Sequence, residues 1–393
     1  MIPRFAPTYT YSDLFSCLKS ELGEEQKEKL IARLSNLCQV KHVFLVESAR
    51  VGLYVILKAY NRPGRVLMPA YNVIVVPEAV HHAGYQPGFV DIDPCTLTVS
   101  SERWEKAITP DTTAVLPIHL FGVPCNLKEI LRIFKQRDIL IIEDAAPALG
   151  AEYGGKMVGS FGDASVISFR GIKVISGEAG GAVLTNSDEL ASNIHRILLS
   201  AQERWNTRSL FLKAVAFKIA LSPTVYAALR HGSALLHKEQ MYEVVPATLE
   251  QPAESIFRMP GFASALVQTQ LDRLEWNLSR RRKIAQIYRE QLADHAAWFL
   301  PEMAEFSNPS WIQFPMICAD KLAFYKYMQS LGVDLSWTYK YSCPESFGLN
   351  DYPNAQQAAK KVISLPITPF LTDEQVYEIC SKALRFSNSK SRR

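Results

Sequence analysis

The sequence has no long uncharged apolar run. Its most hydrophobic stretch, Leu210 to Leu229, is interrupted by Lys213, Lys218 and Pro223, which argues against a conventional membrane-spanning helix. It also lacks any CxxC pair. Its seven cysteines (Cys17, Cys38, Cys95, Cys125, Cys318, Cys343 and Cys380) are scattered and odd in number. Neither a disulfide framework nor a zinc site is expected, and reduced thiols suit a cytoplasmic protein. Charge of one sign is scarce as well: 43 basic residues against 39 acidic ones leave a net +4. That is too even for the basic footprint of a nucleic-acid binder. The opening residues, MIPRFAPTYTYSDLF, show no basic segment followed by an apolar one, so no export signal is expected. There is no internal repeat and no low-complexity tract.

What is present suits a folded enzyme-sized chain. Its 393 residues are 48% hydrophobic and 21% charged, a globular composition in a chain longer than one ordinary domain. Short β-rich runs alternate with helical patterns between about residues 25 and 190. HVFLV (42–46), RVLMPAY (65–71) and ILIIED (139–144) read as strands, and 75–84 reads as a helix. Such alternation predicts βαβ units and a mostly parallel sheet. The runs 164–169 and 181–186 are strands joined without a long helix, so the sheet is expected to be mixed. A long helix is expected from Pro260 to about His295, and a smaller α+β unit follows it. The expected division is a large α/β domain over 1–250, with a variable helical insertion at 203–250. A small C-terminal domain over 251–386 and a disordered basic tail over 387–393 complete it.

The chemistry concentrates in residues 141–186. One apolar strand ends at Glu143-Asp144, and side chains at the carboxyl ends of parallel strands face the crevice where α/β folds bind ligands. Lys173 follows 29 residues after Asp144, in a segment crowded by Gly171, Gly177, Gly180 and Gly181, with Ser168 five residues before the lysine. An acid at one strand end and a lysine past another are what pyridoxal phosphate (PLP) needs. The lysine forms a Schiff base with its aldehyde, and the carboxylate pairs with the protonated pyridine nitrogen. Glycines let the backbone approach closely, and the Ser168 hydroxyl suits a phosphate. Taken singly, a strand-end Asp is usually a cap and a Lys after a strand is usually a solvated charge. Their order and spacing together carry the signal.

The string EDAAPALGAEYGGKMVGSFGDASVISF followed by Lys173 and SGEAGGAVLTN resembles the fold-type I PLP aminotransferases of the DegT/StrS type, which aminate nucleotide-linked keto sugars. The resemblance extends to ESARVGLYVILKAY (47–60), PIHLFGVPCNL (117–127), FRMPGFASALVQTQ (257–270) and the C-terminal YPNAQQAAKKVISLPITPF. It implies a large domain with a mostly parallel mixed sheet and a smaller α+β domain. It also implies a homodimer, with glutamate as amino donor and surface polysaccharide as the use of the product. By the same resemblance Lys173 is the catalytic Schiff-base lysine, Asp144 the ring-nitrogen partner and Ser168 a phosphate ligand. Ala49 and Arg50 hold that phosphate at a helix start, where free amides and the helix dipole favour an anion.

This chain departs from the family pattern in three places. Pro147 replaces a glutamine or histidine near the ring, and Ile256 replaces an asparagine that reaches the partner subunit. Val73 holds the usual aromatic slot, with Tyr71 nearby as the alternative ring contact. His119 is expected to be a hydrogen-bonded structural residue, and His81-His82 surface or packing residues. SRRRK (279–283) is expected to be a solvated helix face, and Arg258 a contact to sugar nucleotide or to a second subunit. Two other readings stay open: a different PLP reaction on an aminocyclitol or by elimination, and a sensor or scaffold that has lost the cofactor.

Overall fold

The computed structural model describes residues 1–19, 24–203, 206–236, 256–293 and 295–386. Seven strands form the main sheet: β1 (His42–Val46), β2 (Arg65–Pro69), β3 (Gln86–Val90), β4 (Thr112–Val115), β5 (Leu140–Asp144), β6 (Ala164–Ser168) and β7 (Gly181–Thr185). Their order across it is β1-β7-β6-β5-β4-β2-β3. Strands β2 to β6 pair in parallel, whereas β7 runs antiparallel to both β6 and β1. The expected mixed α/β sheet is therefore present.

Both faces of the sheet are covered, and the side chains show it by alternation. On β7, Val183 joins a core with Val166, Ile142 and the helix Ala49–Tyr60. Its neighbours Ala182 and Leu184 join a second core with Val43, Leu45 and Ile167. A period of two on a strand covered on both sides produces this division. The helix Ala49–Tyr60 starts sharply because Ser48, in extended conformation, accepts the Val51 N–H on its hydroxyl, and it ends at Asn61 in the left-handed region, as end-capping requires.

A second, antiparallel sheet holds β8 (Trp298–Phe299), β9 (Phe314–Cys318) and β10 (Val362–Leu365). The helices Lys321–Ser330 and Asp373–Leu384 accompany it. The helix Leu274–Leu292 contributes to two hydrophobic clusters, while Cys343, Ala355 and Ala358 return to the core of the main sheet. Met259 to Leu278 bury with Tyr9, Leu30 and Phe169, whereas Ile284, Ile287 and Tyr288 bury with Phe314, Ile363 and Ile379.

The single helix expected over 260–295 is two, Gly261–Leu271 and Leu274–Leu292. Arg273 leaves the helical region at φ −112°, ψ 12°, and its guanidinium pairs with Asp13 at 2.6 Å. The SRRRK run is not a solvated face either. Arg281 is buried, donating to Asn277, Trp311 O and Ile367 O. Arg282 donates to Pro309 O and Gly150 O, and Arg280 and Lys283 share Asp373. The basic run thus ties this helix to three loops.

Residues 207–236 form two helices, Thr207–Ala220 and Pro223–Leu236, bent by 79°. Leu210, Ala214, Leu221 and Tyr226 are buried, while Leu212 and Leu229 are exposed. Among the described residues, no single helix is long and apolar enough to cross a membrane. The rest of the expected insertion, 237–250, and the expected tail, 387–393, lie outside the described residues.

Candidate active site

The site is built at the carboxyl edge of the parallel strands. Strand β5 delivers Asp144 there with its backbone fixed on both sides. Asp144 N–H donates to Pro117 O and Asp144 O accepts from His119 N–H, while Ala145 N–H donates to Val166 O. Asp144 then opens into a cavity of about 450 Å³ that is also lined by Ser48, Ala49, Arg50, Val73, Ser168, Arg170 and Lys173. The fold thus gathers Asp144, Lys173, Ser168, Ala49 and Arg50 in one place from three separate parts of the chain. Tyr71 is not among the lining residues; Val73 is. A smaller cleft of about 250 Å³ lies between Trp104, Phe121 and Trp311; Arg289 is its one basic residue, and it contains no lysine.

Each side chain has a local reason for its place. Ser168 ends β6, and its hydroxyl accepts from the Arg170 N–H at 3.3 Å. Gly181 opposes Ser168 across the β6–β7 pair and lies under the start of the helix at Ala49. A Cβ on Gly181 would come within 2.7 Å of Ala49 N and of Ile167 O. Only glycine leaves room for the first turn to pass this close. That turn presents the N-terminus of a twelve-residue helix to the cavity, which Arg50 and Arg170 also line. Amide groups and cations in one corner suit an anion such as phosphate.

The electrostatics favour proton exchange. Burial lowers the Lys173 amine from the ordinary lysine range, and Asp144 opposes that shift. Burial also raises Asp144, opposed by the Ala146 N–H at 3.0 Å and by the charge of Lys173. An amine that reaches its neutral form and an acid held for a cationic partner are the donor set that PLP requires. The residues fit that cofactor.

Sequence reasoning missed the brace behind the acid. Glu143 is fully buried and accepts four hydrogen bonds: His119 Nε2 at 3.2 Å, and the N–H groups of Gly159, Phe161 and Gly162 at 2.8, 2.6 and 2.7 Å. His119 Nδ1 accepts the Cys125 N–H at 3.2 Å, so Nε2 carries the proton toward Glu143. His119 is buried with both nitrogens engaged, as expected of a structural histidine. Two successive acids at a strand end were the only signal; the resemblance picks out Asp144 and says nothing of the role of Glu143. Arg258 lies elsewhere, donating to Leu198 O at 3.0 Å beside Lys27 and His195. Pro147 is half-buried near Gly122, and Ile256 packs on the β-sheet core.

The chain is 27% identical over 371 residues to GDP-perosamine synthase of Escherichia coli O157:H7, covering 89% of this chain and 87% of that protein. It is 28% identical to the spore coat polysaccharide biosynthesis protein SpsC of Bacillus subtilis, covering 86% and 84%. Among solved structures, DesV of S. venezuelae superposes with a TM-score of 0.77 at 24% identity, covering 96% of this chain and 94% of that one, which supports the fold. The family model for DegT/DnrJ/EryC1/StrS aminotransferases matches residues 17–384, and the chain belongs to that aminotransferase family.

Proposed function

We propose that this protein transfers an amino group from an amino acid, L-glutamate, to the keto carbon of a nucleotide-linked sugar, with PLP as cofactor. The product supplies amino sugar for polysaccharide, and the enzyme works as a cytoplasmic homodimer. The observation that carries this reading is the meeting of Asp144 and Lys173 in one cavity with a helix N-terminus and Ser168. Relatives named for a GDP-linked sugar and for a coat polysaccharide support the substrate class.

Bound PLP supplies an aldehyde that captures amines and a ring that accepts electrons from the adjacent carbon. The chain's own residues do the rest. Asp144 holds the proton on the ring nitrogen from its fixed place at the end of β5. Ser168, with the Ala49 and Arg50 amides, holds the phosphate. Lys173 would hold the cofactor's aldehyde carbon, and its amine, biased toward neutrality by burial, would serve as base and then acid for proton transfer. Because the donor must leave before the sugar is served, ping-pong kinetics are expected.

The test is an absorbance spectrum of the purified protein with PLP, before and after L-glutamate. A visible band that gives way to a near-ultraviolet one on adding glutamate supports the reading, and keto-sugar nucleotides should then restore the visible band. A protein that forms no band with PLP would instead be a fold that has lost its cofactor.

A further inference from the structure

The cleft of about 250 Å³ lies where two hydrophobic cores meet. Of its lining residues, Trp104 and Phe121 belong to the core of the main sheet, and Trp311 and Phe314 to that of the second sheet. A cavity of about 150 Å³ already accepts one benzene ring, so this one has room for a ring and a short side arm. The two walls are stitched together backbone to backbone. Ile312 N–H donates to Phe121 O at 3.0 Å, and Ser310 N–H donates to Gly122 O at 2.9 Å. Phe121 sits at φ +61° and Trp311 at φ +50°, a region that bulky side chains rarely adopt. Such conformations persist only where the surroundings enforce them, and they gather at ligand clamps.

Arg289 supplies the charge. It stands half-buried on the helix Leu274–Leu292, and its one hydrogen bond among the described residues goes to Pro301 O at 3.2 Å. Burial lowers it from the ordinary guanidinium range, and no carboxylate among the described residues pairs with it. The three acids of the same lining are engaged elsewhere or wet. Glu129 pairs with Arg132 at 2.8 Å, Asp93 accepts the Cys95 and Thr96 N–H groups at 2.8 and 3.0 Å, and Glu302 is exposed. A partly desolvated guanidinium without a counter-charge attracts a carboxylate more strongly than the same group does in water.

We propose that this cleft is a second ligand site, which takes a small aromatic monocarboxylate. Arg289 holds the carboxylate, and Trp104, Phe121, Trp311 and Phe314 enclose the ring. A second negative charge on the ligand is disfavoured by Asp93, Glu129 and Glu302 in the same lining. No residue of this cleft lines the cavity of Asp144 and Lys173, so the assignment stands whatever that cavity binds.

The experiment titrates phenylacetate into the full-length protein by calorimetry and by thermal melting. Benzyl alcohol, which lacks the charge, and acetate, which lacks the ring, are titrated beside it. Phenylacetate should bind once per chain with a Kd of about 1 mM or tighter and raise the melting temperature, as a ligand of the folded state does. Benzyl alcohol and acetate should each bind about tenfold more weakly. Arg289→Met should lose about tenfold in phenylacetate affinity and bind benzyl alcohol as wild type does. Arg289→Gln, which keeps a donor for Pro301 O but no charge, should lose as much, and guards against misfolding of the first variant. No saturable binding of phenylacetate would overturn the assignment, as would unchanged affinity in both variants. Displacement of phenylacetate by PLP would also overturn it, since the probe would then sit with Lys173. Acetate bound as tightly as phenylacetate would overturn the aromatic class.

Discussion

Glu143 and Asp144 are neighbours in the chain and face opposite sides of the sheet. Glu143 is sealed against His119 and three backbone amides, while Asp144 opens into the cavity with Lys173. The period of two along a strand makes this unavoidable. One carboxylate becomes scaffold and the other becomes chemistry.

Lys173→Ala should abolish amino transfer, by about a thousandfold or more, since covalent attachment and proton transfer are both lost. The visible band should disappear, while the melting temperature of the empty protein falls little. The readouts are the glutamate half-reaction, followed by absorbance, and a thermal scan. A variant that still consumes glutamate at the wild-type rate would remove Lys173 from the mechanism.

Asp144→Asn separates cofactor chemistry from stability. Its ring-nitrogen role predicts a loss of about a hundredfold in rate. The empty variant should nevertheless be more stable than wild type near neutral pH. Burial raises Asp144 above its ordinary range, so the folded wild type holds its proton more tightly than the unfolded chain does. Its relative stability is present below the ordinary Asp value and is lost as pH rises through the folded one. Denaturant midpoints of the two proteins should therefore coincide at the acid end and separate as pH rises.

Glu143→Gln should destabilise the protein by about 2–4 kcal/mol in chemical denaturation, because one amide oxygen cannot serve three N–H donors and an imidazole. The pH dependence has the opposite sign to that of Asp144. Burial alone would raise Glu143, but the bond to His119 and the Gly159 and Gly162 amides outweigh it and hold the carboxyl below its usual range. Its contribution is full above the ordinary Glu value and is lost as pH falls through the lowered one. The gap between wild type and variant should shrink in acid.

Gly181→Ala tests the close approach under the helix start. A Cβ 2.7 Å from both Ala49 N and Ile167 O forces the strand and the turn apart, at a cost of about 1–3 kcal/mol. Because the displaced group is the proposed phosphate corner, PLP affinity should fall together with the melting temperature. Free inorganic phosphate, used as a competitor, should also bind more weakly. Unchanged phosphate competition alongside reduced stability would place the anion elsewhere.

Much of the fold could be read from the sequence because it rests on local patterns. Apolar runs 42–46, 65–69, 140–144, 164–168 and 181–185 are strands because both their faces are buried, and helical periodicity fills the gaps between them. The extra break at Arg273 could not be read this way. At that break Arg273 pairs with Asp13, far off in sequence, a contact that no local propensity encodes. The basic run 279–283 misled for the same reason. Composition makes it a wet face, whereas its guanidiniums satisfy carbonyls of loops that the chain brings back much later.

By itself the sequence determined the α/β class and the spacing of an acid and a lysine suited to PLP. It also determined membership of an aminotransferase family, since these are matters of order and residue type along the chain. The family resemblance already pointed to Asp144; only the tertiary structure decided what Glu143 does, sealed against His119 and three backbone amides. It alone decided that Arg281 is buried among carbonyls, and that Val73 lines the cavity while Tyr71 packs against Tyr339. Those outcomes depend on which strands neighbour one another and which loops close over their ends. The long-range packing that sets them leaves no periodic trace in the sequence.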